Sequence, residues 1–212
     1  VTTTTHPHPV TSLPTRTDLE RELRQLIARK ESCALAMVDM DYFQELNEQQ
    51  GHEAGDTLLR QVAELLGGAE GGSAYHIGGD EFAMLLPSVS LEQAFLAMER
   101  LRGQIEAALA HVALAEGRKV AATLGVAQYP RDAQDARALW SAASAALQSA
   151  KEGGRNTVSL PPNEEMVMKS CYYPASSISK LKGLAKRLGR KESPLLREAL
   201  DDLFRKYDLP GQ

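Results

Sequence analysis

Between residues 18 and 160 the apolar positions switch repeatedly between a helical and an extended period. Leu19, Leu23, Leu26 and Ile27 recur at helical spacing, with Thr17 or Asp18 suited to cap the start. Ala34 to Val38 is a continuous apolar run of strand length that ends in Asp39-Met40-Asp41. Phe43 and Leu46, then Leu58, Leu59, Val62, Leu65 and Leu66, predict two helices flanking a bend at Gly51. Two short apolar runs, 74–77 and 83–86, enclose Gly78-Gly79-Asp80-Glu81-Phe82 and read as a hairpin with two carboxylates on its turn. A helix over 91–109, a strand over 120–127, an Ala-rich helix over 133–150 and a short strand over 157–160 complete the pattern. Strands interspersed with long helices imply a sheet with helices packed on it, in the α/β or α+β class.

After residue 160 the pattern changes. Leu160-Pro161-Pro162-Asn163-Glu164-Glu165 ends any regular element. Residues 166–173 alternate loosely up to Pro174, and Ile178, Leu181, Leu184, Ala185 and Leu188 then form one helical stripe. Gly189 stops that helix, and Ser193-Pro194 opens a second with Leu195, Leu196, Ala199, Leu200 and Leu203. A strand and two short helices cannot bury a core alone, so this unit is expected to dimerise.

Charge sharpens the division. The chain of 212 residues has a net charge of −4, yet residues 166–212 hold ten Lys or Arg against five Asp or Glu. The body is therefore acidic and the tail basic, which suits a tail that meets an anionic partner. Charged residues make up 25% and apolar ones 43%, ordinary for a water-soluble globular protein. No apolar run approaches the length of a membrane span, so a cytoplasmic protein without membrane contact is expected. Cys33 and Cys171 lie far apart in sequence, and a reducing compartment is the simpler context. The Thr-rich start, without Met or periodicity, reads as a trimmed or disordered segment over residues 1–7.

The candidate chemistry gathers at strand ends. Asp39 closes the first apolar run, and Asp80 and Glu81 sit on the hairpin turn. Carboxylates converging from separate elements can hold one or two Mg²⁺ ions against a nucleoside triphosphate. Gly78 and Gly79, lacking side chains, let the backbone approach a phosphate. Each element alone also serves as a turn or a cap; their conjunction is what points to a nucleotide.

Gly78-Gly79-Asp80-Glu81-Phe82 resembles the signature of the GGDEF family of diguanylate cyclases. Asp39-Met40-Asp41-Tyr42-Phe43 with Asn47, Gly51-His52 and Gly55-Asp56 resembles its companion motif, Lys151 with Gly154-Arg155-Asn156 its closing motif, and Thr11 to Arg16 its opening one. The resemblance spans residues 8–160 and implies an α+β fold: a palm-like polymerase or nucleotide-cyclase sandwich with a central, mostly antiparallel sheet and surrounding helices. It implies condensation of two GTP into cyclic di-GMP by a homodimer. Asp39, Asp80 and the Met40 carbonyl would ligate Mg²⁺ or Mn²⁺, with Glu81 as an assisting carboxylate. Asn47 and Asp56 would recognise guanine, and Gly78, Gly79, Lys151 and Arg155 would surround the phosphates.

Departures from the family pattern carry information too. Gln44 stands where a basic residue commonly follows the Phe, removing a positive charge from the triphosphate side and arguing against rapid turnover. His76 replaces a usual Arg, and His8 and Thr15 replace an Asp and an Asn. Ala69 and Gly72 occupy the positions of the Arg-x-x-Asp product site, so feedback inhibition there is not expected. A degenerate cyclase that only senses GTP or cyclic di-GMP remains the alternative.

Past a linker at 161–165, residues 166–212 resemble the ribbon-helix-helix family of DNA-binding domains, in which paired strands of a dimer enter the major groove. Met168, Ser170 and Tyr172 would then face the bases, and Lys191 and Ser193 the phosphates. A basic helical hairpin used only for dimerisation is the alternative.

Overall fold

The computed structural model describes residues 7–161 and 173–188 and single positions at 192, 195, 196, 199, 203 and 206. In the sheet, Ser73–Gly78 (β2), Glu81–Pro87 (β3), Cys33–Asp41 (β1), Ala121–Tyr129 (β4) and Val158–Ser159 (β5) lie side by side in that order. All pairings are antiparallel except β4 with β5. The expected mostly antiparallel α+β architecture is therefore present.

Burial of β1 explains the layers. All nine of its residues are buried, which demands cover on both faces. Because side chains alternate, Ala34, Ala36, Val38 and Met40 join one core cluster, while Cys33, Leu35 and Met37 join another. The first cluster is closed by Phe43–Gln50 (α2), His52–Gly67 (α3) and Leu91–Ala108 (α4), the second by Arg16–Ala28 (α1) and Ala136–Glu152 (α5). α5 approaches β4 closely at Gly125. A Cβ there would stand 2.1 Å from Leu147 N and 2.4 Å from Ala143 O.

Several boundaries differ from the sequence expectation. β1 runs on to Asp41, since pairing with β4 continues to Asp41 opposite Ala121 although the apolar run has ended. α1 is capped by Thr15, not Thr17 or Asp18. Asp18 instead sits in the first turn and accepts from the Thr15 N–H and Oγ1, both at 3.1 Å. α5 starts at Ala136 rather than Ala133, because Asp135 caps it by accepting from Ala138 N at 2.8 Å. Cys33 is free and buried, and burial, then Glu31, pushes its thiol up to about 11, so it is inert.

The chain divides into two compact units, residues 1–165 and 166–212. In the second, Ala175–Leu188 (α6) is a helix whose charged residues are Lys180, Lys182, Lys186 and Arg187. Ala185 and Leu195 are buried, whereas Leu188, Leu196 and Leu203 are exposed. The expected ribbon strand, Cys171, and the candidate DNA contacts Met168, Ser170, Tyr172, Lys191 and Ser193 lie outside the described residues, as do 1–6 and 162–165 of the expected N-terminal segment and linker. Among the described residues no helix is long and apolar enough to cross a membrane.

Candidate functional site

The two-residue period of β1 places Asp39 and Asp41 on the same face, the one covered by α5. Lys151, in the last turn of α5, reaches this face and sets its Nζ 2.7 Å from Asp39 Oδ2. Arg155, four residues further, lies with Nε 3.6 Å from Asp41 Oδ1. The hairpin brings the third carboxylate. Gly79, at φ +59°, makes the tight turn, and the Met40 N–H donates to the Asp80 carbonyl at 3.2 Å. Burial, and then the charge of Asp39, holds the Asp80 carboxyl above its ordinary value. Glu81 is not on the turn: it is the first residue of β3, paired opposite Asp39.

Asp41 is a residue to which the sequence reading assigned no role. It is buried, and the Thr123 hydroxyl sits 2.8 and 2.7 Å from its two oxygens. The Asn156 N–H donates to Asp41 Oδ2 at 3.1 Å and approaches Thr123 Oγ1 at 2.9 Å. Arg155 and Asn156 both have left-handed backbones, φ +62° and +45°, a strained pair for side-chain-bearing residues. Asp41 therefore anchors the turn that aims Arg155. Burial raises its carboxyl, with the Thr123 and Asn156 bonds opposing. Its spacing of two from Asp39 was the available signal.

These groups line a cleft of about 690 Å³. It brings together Asp39, Met40, Asp80, Lys151 and Arg155 from the sequence-predicted set, beside the first turn of α2 with Gln44. The opening N–H groups of a helix have no intrahelical acceptor and favour an anion. Tyr42, left-handed at φ +63°, precedes that turn, and the guanidinium groups of Arg155 and Arg118 lie 5.5 and 5.6 Å from its ring centroid. Arg118, in the loop before β4, was missed because nothing in its local sequence marks it.

Other predicted residues fall elsewhere. Asn47 and Asp56 do not line the cleft; they lie in α2 and α3, on either side of the bend at Gly51. A Cβ on Gly55 would stand 2.0 Å from Asn47 Oδ1, so glycine leaves room for this amide where it lies. Asn47 Oδ1 is buried without a hydrogen-bond partner. Gly78 and Gly79 form the turn outside the cleft lining, and Glu81 lines a neighbouring depression of about 290 Å³ with Arg16, Trp140 and Lys151.

The chain before α1 docks on the signature hairpin. The His76 N–H donates to Pro14 O at 2.9 Å, and the His8 and His76 rings lie against each other, tilted by 32° with centroids 3.6 Å apart. His76 Nε2 is 3.0 Å from Gly79 O, an acceptor, so Nε2 carries the proton and Nδ1 accepts from Thr11 Oγ1 at 3.0 Å.

Among the described residues, no three His, Cys, Asp or Glu side chains form a metal cage. The donor set here is smaller and harder: two carboxylates, Asp39 and Asp80, and a backbone carbonyl at Met40. It fits Mg²⁺ or Mn²⁺, which prefer oxygen donors and complete their shell with water and substrate phosphate.

Residues 6–157 match the family model for "Diguanylate cyclase, GGDEF domain". Diguanylate cyclase A of Treponema denticola is 32% identical over 139 residues, covering 64% of this chain and 37% of that protein. Diguanylate cyclase TpbB of Pseudomonas aeruginosa is 34% identical over 161 residues, covering 72% of this chain and 36% of that protein. Among solved structures, the TpbB GGDEF domain superposes with a TM-score of 0.64 at 33% identity, covering 74% of this chain and 95% of the other. The coiled coil and GGDEF domain of DgcB from Caulobacter crescentus, in complex with c-di-GMP, gives 0.65 at 26% identity, covering 72% and 84%. The chain thus spans little more than a third of the length of these two curated relatives.

Proposed function

The chain belongs to the GGDEF diguanylate cyclase family, and from that premise we propose that it condenses two GTP into cyclic di-GMP with release of pyrophosphate. The observation that carries this reading is the meeting of Asp39 and Asp80 in one cleft with Lys151 and Arg155. The 3′-oxygen of one ribose attacks the α-phosphorus of the other GTP in line; the new P–O bond forms as the bond to the pyrophosphate oxygen breaks. One cleft presents one GTP, so two copies of the chain face each other and the homodimer is the working unit. The reaction draws on cytoplasmic GTP.

The residues divide the work. Asp39, Asp80 and the Met40 carbonyl would hold Mg²⁺ or Mn²⁺, which when bound neutralises phosphate charge and polarises the α-phosphorus. Glu81 stands beside them as an assisting carboxylate. The first turn of α2 receives phosphate oxygens on backbone N–H groups, and Gly78 and Gly79, next to Asp80 on the hairpin turn, would add theirs at the rim. Lys151, released from Asp39, and Arg155, aimed by Asp41, stabilise charge building on the pyrophosphate. Asp56 accepts from guanine N1–H and N2–H₂, which adenine cannot match, and Asn47 supplies the second polar contact. Ala69 and Gly72 offer no charge for a product site.

The test is incubation of the full chain with GTP and Mg²⁺ followed by chromatography. Cyclic di-GMP and pyrophosphate are expected, at a rate that rises more than linearly with protein concentration, and neither from Asp80→Ala. No product at high protein concentration overturns the reading. One observation favours a sensor instead: Gln44 is neutral and its Nε2 donates to Glu48 Oε1 at 2.8 Å. GTP binding without product in the same assay identifies that case.

For residues 166–212 we propose a DNA-binding dimerisation unit, supported by an α6 whose charges are all basic and by the exposure of Leu188, Leu196 and Leu203. Selection of a DNA sequence with affinity falling steeply as salt rises is expected. Retention of dimerisation without any DNA preference reduces the unit to an assembly module.

A further inference from the structure

The cleft contains a third cation besides Lys151 and Arg155. Arg118 comes from the loop before β4, and four interactions fasten that loop and its arginine to α2. Gln50 Nε2 donates to Ala113 O at 3.0 Å, and the Ala115 N–H donates to Gln49 Oε1 at 3.0 Å. Arg118 Nη1 lies 3.0 Å from Glu45 Oε2, and its guanidinium stands over the Tyr42 ring. The arginine is thus held at the start of α2, in a cleft lining that also includes the neutral Gln44. Its side chain is 41% exposed, so a ligand reaches it without disturbing the core.

We propose that Arg118 is a phosphate-binding residue that grips the terminal phosphates of the bound triphosphate, supplying from a distant loop the cation absent at position 44. Three points of chemistry support it. Like Lys151 with Asp39 and Arg155 with Asp41, Arg118 is held in the cleft lining by a carboxylate, Glu45. A nucleoside triphosphate is a polyanion, and the start of α2 in the cleft lining also favours anions. A planar guanidinium suits this task because its fork meets two phosphate oxygens at once. Glu45 acts as the positioning residue that sets the height of the fork above α2.

The inference rests on the GTP reading of the cleft, and its test keeps the two apart. The full chain is titrated calorimetrically, with Mg²⁺, against 3′-deoxy-GTP, which lacks the attacking hydroxyl, and against GMP, which lacks the terminal phosphates. Arg118→Gln is expected to weaken 3′-deoxy-GTP binding by about tenfold or more, the worth of a charge-assisted hydrogen bond, and to leave GMP binding unchanged. Adding Gln44→Lys to Arg118→Gln is expected to restore the loss. Unchanged 3′-deoxy-GTP binding in Arg118→Gln, or an equal loss for GMP, overturns the role of Arg118 while the cleft still binds the nucleotide. A wild-type chain that binds no 3′-deoxy-GTP removes the cyclase reading, and this inference with it.

Discussion

Lys151 Nζ and Asp39 Oδ2 lie 2.7 Å apart, joining a residue assigned to phosphate with one assigned to metal. The ammonium and a divalent cation compete for the same carboxylate. Lys151→Met is therefore expected to bind Mn²⁺ roughly threefold to tenfold more tightly without nucleotide, as loss of one nearby partly screened charge implies. Product formation should fall by about a hundredfold, since the leaving pyrophosphate loses a cation. Mn²⁺ titration by water-proton relaxation and a single-turnover assay read the two effects, and weaker Mn²⁺ binding contradicts the competition.

Asp41 is expected to act through structure first. Asp41→Ala leaves the Asn156 N–H and the Thr123 hydroxyl without their buried acceptor, a loss of about 3 kcal/mol in urea unfolding. Asp41→Asn, which keeps one acceptor oxygen, should cost less. Equal stability of wild type and Asp41→Ala would show that the closing turn holds itself.

The His8–His76 ring contact predicts a pH dependence. Burial lowers the His76 pKa below 6.5; the Gly79 carbonyl opposes this and His8 adds to it. His8 is also lowered by burial, with Asp56 opposing. The unfolded chain takes up protons near 6.5 that the folded pair refuses, so the contribution is complete above that value and is lost as pH falls below it. Urea midpoints should drop between about pH 7.5 and about pH 5.5, and His76→Gln should flatten the drop. A wild-type midpoint that rises on acidification contradicts the neutral assignment.

Two glycine substitutions should separate site from fold. Gly55→Ala would place a Cβ 2.0 Å from Asn47 Oδ1, a side chain that can move. The KM for GTP should rise roughly tenfold as one base contact is displaced, with kcat less affected. Gly125→Ala would meet the α5 backbone at 2.1 Å, which cannot yield locally. A loss of about 3 kcal/mol is expected for that overpacked contact, read by urea unfolding with no selective change in KM.

Much of this was legible because it is periodic or local. The extended period of 34–38, the helical periods around it and the hairpin at 78–82 each reappear as elements close to their expected limits. Boundaries moved where a hydrogen bond outweighed hydropathy: Asp39 to Asp41 continue β1 because β4 pairs with them, and Asp135 ends the loop that apolar Ala133 had suggested was helix.

The sequence by itself determined which residue types exist for the chemistry, since carboxylates, glycines and cations at motif spacing are properties of the chain. Tertiary structure alone decided which of them meet. Asp41 reaches Asn156 across 115 positions, and Arg118 reaches Glu45 from a loop without any motif. Neither contact has a period or a spacing to read. Both arise because the end of β1 and the starts of β4 and α2 lie together at one end of the strands, and that convergence is fixed by strand pairing and two-sided burial.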